Sequence, residues 1–264
     1  MIALVGDCEI GYDDVGVGSP IVFLHPFPAD RTFWAPQLGA LVDHSRCIAP
    51  DLRGFGETTC AAPFSMEQYA DDVAHLLDSL GLERAVVCGL SIGGYIALAL
   101  WRRHRRRVRG LVLADTRATA DGDEAREKRR TLIGIARERG APAVADLQIG
   151  GLVGASTHER SPQAVDALHH MLEIAPVDGI VGALEAMMAR PDSTALLATI
   201  DVPTLVIVGA EDTVTPEADA RALHEGIAGS RLEVIGGAGH ASSFERPAAF
   251  NRLVSEFLAA LNYE

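Results

Sequence analysis

The chain has 264 residues, 48% of them hydrophobic and 22% charged, a length and mixture that suit one large domain, or one domain with an inserted lobe, and exclude a disordered chain. Its 36 acidic and 23 basic residues leave a formal net charge of −13, so most of the surface repels a polyanion and nucleic acid is not an expected partner. No apolar run reaches the roughly 18 to 20 residues of a membrane span, and Cys8, Cys47, Cys60 and Cys88 show neither paired spacing nor a C-x-x-C, so reduced thiols in a cytoplasm are expected rather than a disulfide framework or a metal site.

The opening IALVGDCEIGYDDVG lacks a basic n-region and turns acidic within its first dozen positions, which argues against a signal peptide. It reads instead as a hairpin that gives the sheet an antiparallel edge. From there short apolar runs alternate with segments of helical period. Residues 21–25 (IVFLH), 46–50 (RCIAP), 85–90 (AVVCGL), 110–115 (GLVLAD), 204–209 (TLVIVG) and 232–237 (LEVIGG) read as buried strands, continuous because both faces are covered. Helices are predicted over 65–80, 92–104, 216–228 and 247–261. The first has Ser65 as N-cap, acids early and Gly81 as its stop. The run RRHRRRVRG from Arg102 falls where a helix exposes its carbonyl end, so it is read as a solvated terminus rather than a polyanion site.

This alternation predicts an α/β fold with a mostly parallel sheet covered by helices on both faces. Between 116 and 199 the rhythm breaks: there is no convincing strand, only helical stretches such as DEAREKRRTLIGIARERG and SPQAVDALHHMLEIA. Residues 1–115 and 200–264 are therefore expected to form the core, and 116–199 a helical lid inserted in it, since small-molecule sites favour the space between lobes.

In an open parallel sheet, ligands bind outside the carboxyl ends of the strands. Three such ends carry chemistry. The strand 85–90 runs into GLSIGG, a G-x-S-x-G turn in which Gly89 and Gly93 let strand and helix meet sharply around Ser91. After 204–209 come Glu211 and Asp212, and after 232–237 comes His240. The order serine, acid, histidine suits a hydroxyl nucleophile, the base that takes and returns its proton, and the carboxylate that sets the ring's tautomer. His240 lies between Gly239 and Ala241 in an irregular loop at a strand end, whereas His169 and His170 fall in a helical lid stretch and His104 beside an arginine run, so His240 is read as the base. Developing oxyanion charge needs donors already in place. The N–H of Ile92 opens the helix after Ser91, and Phe27, in the loop after 21–25, is assigned as the second donor.

These pieces, with HPFPADRTFW, APDLRGFGETT, VPTLVIVGAEDTVTP and GAGHASSFERP, make almost the whole chain resemble the α/β-hydrolases, near the 3-oxoadipate enol-lactonase and cofactor-free esterase/perhydrolase branch. The resemblance implies Ser91 as nucleophile, Asp212 as acid, His240 as base, Phe27 and Ile92 as the oxyanion hole, no cofactor or metal, and a small ester or lactone as substrate. Asp115 offers a substitute position for the acid. The resemblance makes Asp51 and Arg53 braces of a structural loop. Pro28, Trp34, Leu184, Met187 and Met188 are expected in the substrate pocket; the lid's Leu152 and Ile180 suit either pocket or lid core.

The chain departs from that pattern at His25-Pro26, where many relatives have His-Gly, and at Ala241-Ser242-Ser243 after the histidine. Pro28 is expected to tilt the loop carbonyls toward the pocket, a feature similar to esterases that also catalyse perhydrolysis. The expected activity is thus ester or lactone hydrolysis through an acyl-enzyme. Interception of that acyl-enzyme by peroxide is the alternative, and a non-catalytic ligand-binding receptor or carrier is the reading from another class. A homo-oligomer is left open by the sequence.

Overall fold

A computed structural model describes residues 1–6, 8–60, 62 and 64–261. The strands are β1 (Ile2–Val5), β2 (Cys8–Val15), β3 (Ser19–Leu24), β4 (Ser45–Pro50), β5 (Ala85–Leu90), β6 (Val108–Ala114), β7 (Thr204–Gly209) and β8 (Arg231–Ile235). The helices are α1 (Ala35–Leu41), α2 (Met66–Ser79), α3 (Ile92–His104), α4 (Asp123–Leu152), α5 (Ala155–Arg160), α6 (Pro162–Glu173), α7 (Val177–Ala189), α8 (Thr194–Leu197), α9 (Glu217–Gly226), α10 (Ser242–Glu245) and α11 (Pro247–Leu261).

One eight-stranded sheet runs in the order β1-β2-β4-β3-β5-β6-β7-β8. β1 pairs antiparallel with β2 and β2 antiparallel with β4, while all remaining pairs are parallel. From β3 the chain steps outward to β4, then returns across β3 to β5. The order therefore reverses between β3 and β5, which opens a crevice at their carboxyl ends.

Side chains alternate between two core layers, as the pleat requires. Val22, Leu24, Ile48, Val87 and Leu111 face the layer shared with α2 and α3. Ile21, Phe23, Cys47, Val86 and Val112 face the layer shared with α1 and α11. The strands β5 and β7 are buried throughout. β8 differs from its predicted burial: it has only β7 as a neighbour and stands at the sheet edge, where Val234 is 40% exposed.

Helix ends follow their local chemistry. Ser65 Oγ accepts from the Gln68 N–H at 3.0 Å and starts α2. The basic end of α3 pairs with acids of α2: Arg103 Nη2 lies 2.8 Å from Asp71 Oδ2, and His104 Nε2 2.6 Å from Asp71 Oδ1.

Helices α4 to α8 lie between β6 and β7, with no strand among the described residues of that stretch. Within α4 the helix breaks at Gly140, whose φ of 79° and ψ of −178° suit glycine, so α4 has two arms. Among the described residues no helix is long and apolar enough to cross a membrane. One cysteine expectation is corrected. Cys8 and Cys60 form a disulfide, their Cα atoms 4.7 Å apart across 52 residues of sequence, while Cys47 and Cys88 are free and buried. Pairing over that separation leaves no spacing signature, because the fold alone brings the two ends together.

Candidate active site

Ser91 caps α3 with φ 57° and ψ −114°, a left-handed conformation that a residue with a side chain rarely holds. Such strain costs about 1–3 kcal/mol and persists only where the surroundings over-determine it. Here they do. The Ser91 N–H donates to Ala114 O at 3.0 Å, and its carbonyl accepts from Gly94 N–H and from Thr116 Oγ1, the latter at 2.8 Å. The flanking glycines are required by contact: a Cβ on Gly89 would strike the Gly93 carbonyl, and one on Gly93 would strike the Leu24 carbonyl. The elbow is thereby pressed against the end of β3, at the point where the strand order reverses.

His240 and Asp212 meet in the interior, 1% and 6% exposed. His240 Nδ1 lies 2.9 Å from Asp212 Oδ2, and Thr215 Oγ1 donates to the same oxygen at 2.7 Å. Asp212 Oδ1 accepts the backbone N–H groups of Val214 and Thr215 at 2.8 and 2.9 Å. Burial alone would raise the Asp212 carboxyl, but the His240 ring and these hydrogen bonds hold it below the ordinary carboxylate range. An ionised Asp212 accepts the Nδ1 proton and leaves Nε2 with its lone pair, the tautomer a base requires. Sequence reasoning overlooked Thr215, although D-x-x-T-P is a side-chain-capped turn that could have been read.

Glu211, the neighbouring acid, serves another contact. Its carboxylate accepts the Ser156 N–H at 2.9 Å and the Ser156 hydroxyl, and these bonds lower its pKa. Glu245 does the same more deeply. Its Oε1 accepts the N–H of Gly239 at 2.8 Å, while Oε2 accepts from Gly154 N–H at 2.8 Å and Thr157 Oγ1 at 2.6 Å. The Ala241 N–H donates to Leu152 O at 2.8 Å. Residues 152–157 of the helical insert are therefore fastened to both sides of His240. Nothing in the spacing of Glu245 foretold this, because its partners in the insert, Thr157 and Gly154, lie 88 and 91 residues away.

The loop after β3 holds Phe27, whose peptide bond to Pro28 is cis. Among the described residues, neither the Phe27 nor the Ile92 N–H donates to a protein acceptor. His25 braces this loop: its Nε2 accepts the Leu52 N–H at 2.9 Å, and its Nδ1–H donates to Pro26 O at 3.0 Å. Burial lowers its pKa, in keeping with a neutral ring. Asp51 braces it too, accepting the Arg31 and Glu57 N–H groups at 2.8 Å each. Arg53 is paired with Asp72, Nη2 to Oδ1 at 2.8 Å.

The five expected pocket residues are scattered. Pro28 lines a cavity of about 150 Å³ with Phe55, Met171, Ile174 and Pro176. Leu184 lines a different cavity, of about 560 Å³, with Leu132, Ile135 and Leu147 from the two arms of α4. Met187 is buried in the same core layer as α2 and α3, with Met188 partly buried against it. Trp34 requires a correction: it is fully buried, its ring packed against Phe23, Phe33 and Phe250 in the layer beneath α11. Its large apolar surface is worth more in that core than at a wet rim. Among the described residues no group of three or more His, Cys, Asp or Glu side chains is arranged to hold a metal ion.

Comparison with known proteins agrees with this architecture. The profile of the alpha/beta hydrolase fold matches residues 19–247. 3-Oxoadipate enol-lactonase 2 of Acinetobacter baylyi is 32% identical over 243 residues, covering 92% of this chain and 89% of that protein. Among solved structures, a thermophilic esterase from Thermogutta terrifontis, with malate bound, is 39% identical with a TM-score of 0.94, covering 98% of this chain and 96% of that one. The enol-lactonase from Burkholderia xenovorans is 32% identical with a TM-score of 0.91, covering 98% of this chain and all (100%) of its own.

Proposed function

The chain belongs to the α/β-hydrolase family, and we propose that it hydrolyses carboxylic esters or lactones through an acyl-enzyme on Ser91, without a cofactor. The observation that carries the reading is the buried Asp212–His240 pair, at 2.9 Å, on the strand-end side of the sheet that also carries the strained Ser91. Esterases and enol-lactonases among its relatives support the substrate class.

In the first step Ser91 Oγ attacks the carbonyl carbon while its proton passes to His240 Nε2. The carbonyl oxygen becomes an oxyanion, received by the N–H groups of Phe27 and Ile92. The bond to the leaving oxygen then breaks and that oxygen takes the proton from His240; in a lactone it remains on the same molecule. Water attacks the acyl-enzyme with His240 again as base, releasing the acid and restoring the Ser91 hydroxyl. Asp212 stays ionised throughout and stabilises the imidazolium. The insert over 116–199 acts as the lid, and its tie through Glu245 makes the α5 side of that lid a fixed wall.

The test is turnover of aryl esters of graded acyl length and of small lactones by the parent and by Ser91→Ala. The parent is expected to hydrolyse a subset, and the variant to lose a thousandfold or more. Turnover by the variant at the parent rate refutes the reading.

A further inference from the structure

Asp115 follows β6 directly, has φ 45°, and is fully buried. Its backbone N–H donates to Ile207 O at 2.9 Å, its Oδ1 accepts the Gly209 N–H at 2.8 Å, and its Oδ2 is hydrogen-bonded with Ser242 Oγ. Gly209 ends β7 three residues before Asp212, and Ser242 follows His240 by two. On its other side, Ala114 O receives the Ser91 N–H at 3.0 Å. A single side chain thus joins the segments that carry the acid and the base, next to the segment that carries the serine.

Its electrostatic surroundings are one-sided. The titratable groups that act on it are Asp212 after β7, Glu245 on α10 and Cys88 on β5, while His240 is engaged by Asp212. No cation pairs with it among the described residues. A second carboxylate anion in that interior would be uncompensated, whereas a neutral acid with two hydrogen bonds is tolerated.

We propose that Asp115 is a positioning residue: as a neutral carboxylic acid it clamps the Asp212 segment to the His240 segment and so fixes the distance across which the two pair. The bond that Ser242 Oγ donates to Oδ2 is reversed in this state, Oδ2–H donating to Ser242 Oγ, while Oδ1 keeps the Gly209 N–H. Burial, then the nearby Asp212 charge, push its pKa well above the ordinary carboxylate value, which agrees with this state. The clamp rests on the triad reading above. It opposes the alternative in which Asp115 is an ionised reserve acid that takes over from Asp212.

The two states predict different substitutions. Asparagine can reproduce both bonds of the neutral acid, its Oδ1 accepting from Gly209 and its amide donating to Ser242, but it cannot reproduce a negative charge. Asp115→Ala should lower kcat for an aryl ester about tenfold or more with KM within about twofold, and Asp115→Asn should restore most of that loss. Ser242→Ala, which cuts the clamp at its far end, should lower kcat in the same manner and carries the test if Asp115→Ala fails to fold. A second readout needs no activity. A carboxyl whose pKa is raised in the folded state stabilises the fold below its unfolded pKa and loses that contribution as pH rises toward the folded value. The Tm of Asp115→Asn relative to the parent should therefore climb from pH 5 to pH 9.

The clamp is overturned if Asp115→Asn is as damaging as Asp115→Ala, if Asp115→Ala and Ser242→Ala both leave kcat at the parent value, or if the Tm difference is flat or falls with pH. Failure of the triad reading shows separately, as parent-level turnover by Ser91→Ala.

Discussion

Replacing Asp212 by Asn changes one atom's hydrogen-bonding sense, and the surroundings dictate which atom. Oδ1 accepts two backbone N–H groups, from Val214 and Thr215 at 2.8 and 2.9 Å, so the amide oxygen keeps that place and the amide nitrogen takes the place of Oδ2. That nitrogen donates. It now faces His240 Nδ1, 2.9 Å away in the parent, and the ring answers by accepting at Nδ1 and carrying its proton on Nε2. A ring protonated on Nε2 cannot take the Ser91 proton. The expected loss in kcat is on the order of 10⁴-fold, about 5 kcal/mol of transition-state stabilisation, with KM little changed. Thermal unfolding supplies a check on sign: a carboxyl held low in the folded state stabilises the fold above its unfolded pKa, and that stability fades as pH falls through the folded value. The Tm gap between parent and Asp212→Asn should therefore narrow below about pH 4. Initial rates on one aryl ester, for Asp212→Asn beside Glu211→Gln, decide the matter. If Asp212→Asn keeps kcat within tenfold of the parent while Glu211→Gln loses more, the assignment of the acid is wrong.

Gly93→Ala should destabilise the fold by several kcal/mol or prevent soluble expression, because the new Cβ meets the backbone carbonyl of Leu24 rather than a movable side chain; circular-dichroism melting reads this, and a parent-like Tm contradicts the close-contact argument. Thr157→Val removes a hydroxyl that donates to the buried Glu245 carboxylate at 2.6 Å, so Tm should fall by roughly 2 to 10 °C for a loss of about 1–3 kcal/mol. Because that carboxylate also holds the N–H of Gly239, kcat should fall too, and a change confined to KM would disconnect the strap from His240. Thiol titration of the unfolded, unreduced protein should find two free thiols, those of Cys47 and Cys88, and four would mean that Cys8 and Cys60 are not joined in solution.

Where a signal was local, the sequence carried it. The strand 85–90, the turn around Ser91 and the helix 92–104 are legible because each is dictated by neighbours: an apolar run, two glycines without room for a side chain, and a helical period. Asp212 and His240, which the structure pairs at 2.9 Å, could be picked out after their strands for the same reason, since strand ends are punctuated by Gly, Asp and Pro. What stayed hidden depends on distant partners. Trp34 is expected in the pocket, yet Phe250, 216 positions later, packs against it in the core. β8 carries Arg231 and Glu233 among its apolar residues, and its position at the sheet edge leaves Val234 exposed as well. Cys8 and Cys60 meet through the crossing of the β2 hairpin and the loop after β4. Glu245 and Asp115 are ordinary polar residues until the fold brings their donors to them.

The most direct measurement is covalent trapping. A fluorophosphonate or a slowly deacylating aryl ester, mixed with the parent and analysed by intact mass, should add one equivalent of the phosphonyl or acyl group. Peptide mapping should place it on Ser91, and Ser91→Ala should remain unmodified. Modification of Ser91→Ala to the same extent, or an adduct mapped to another residue, would contradict the account.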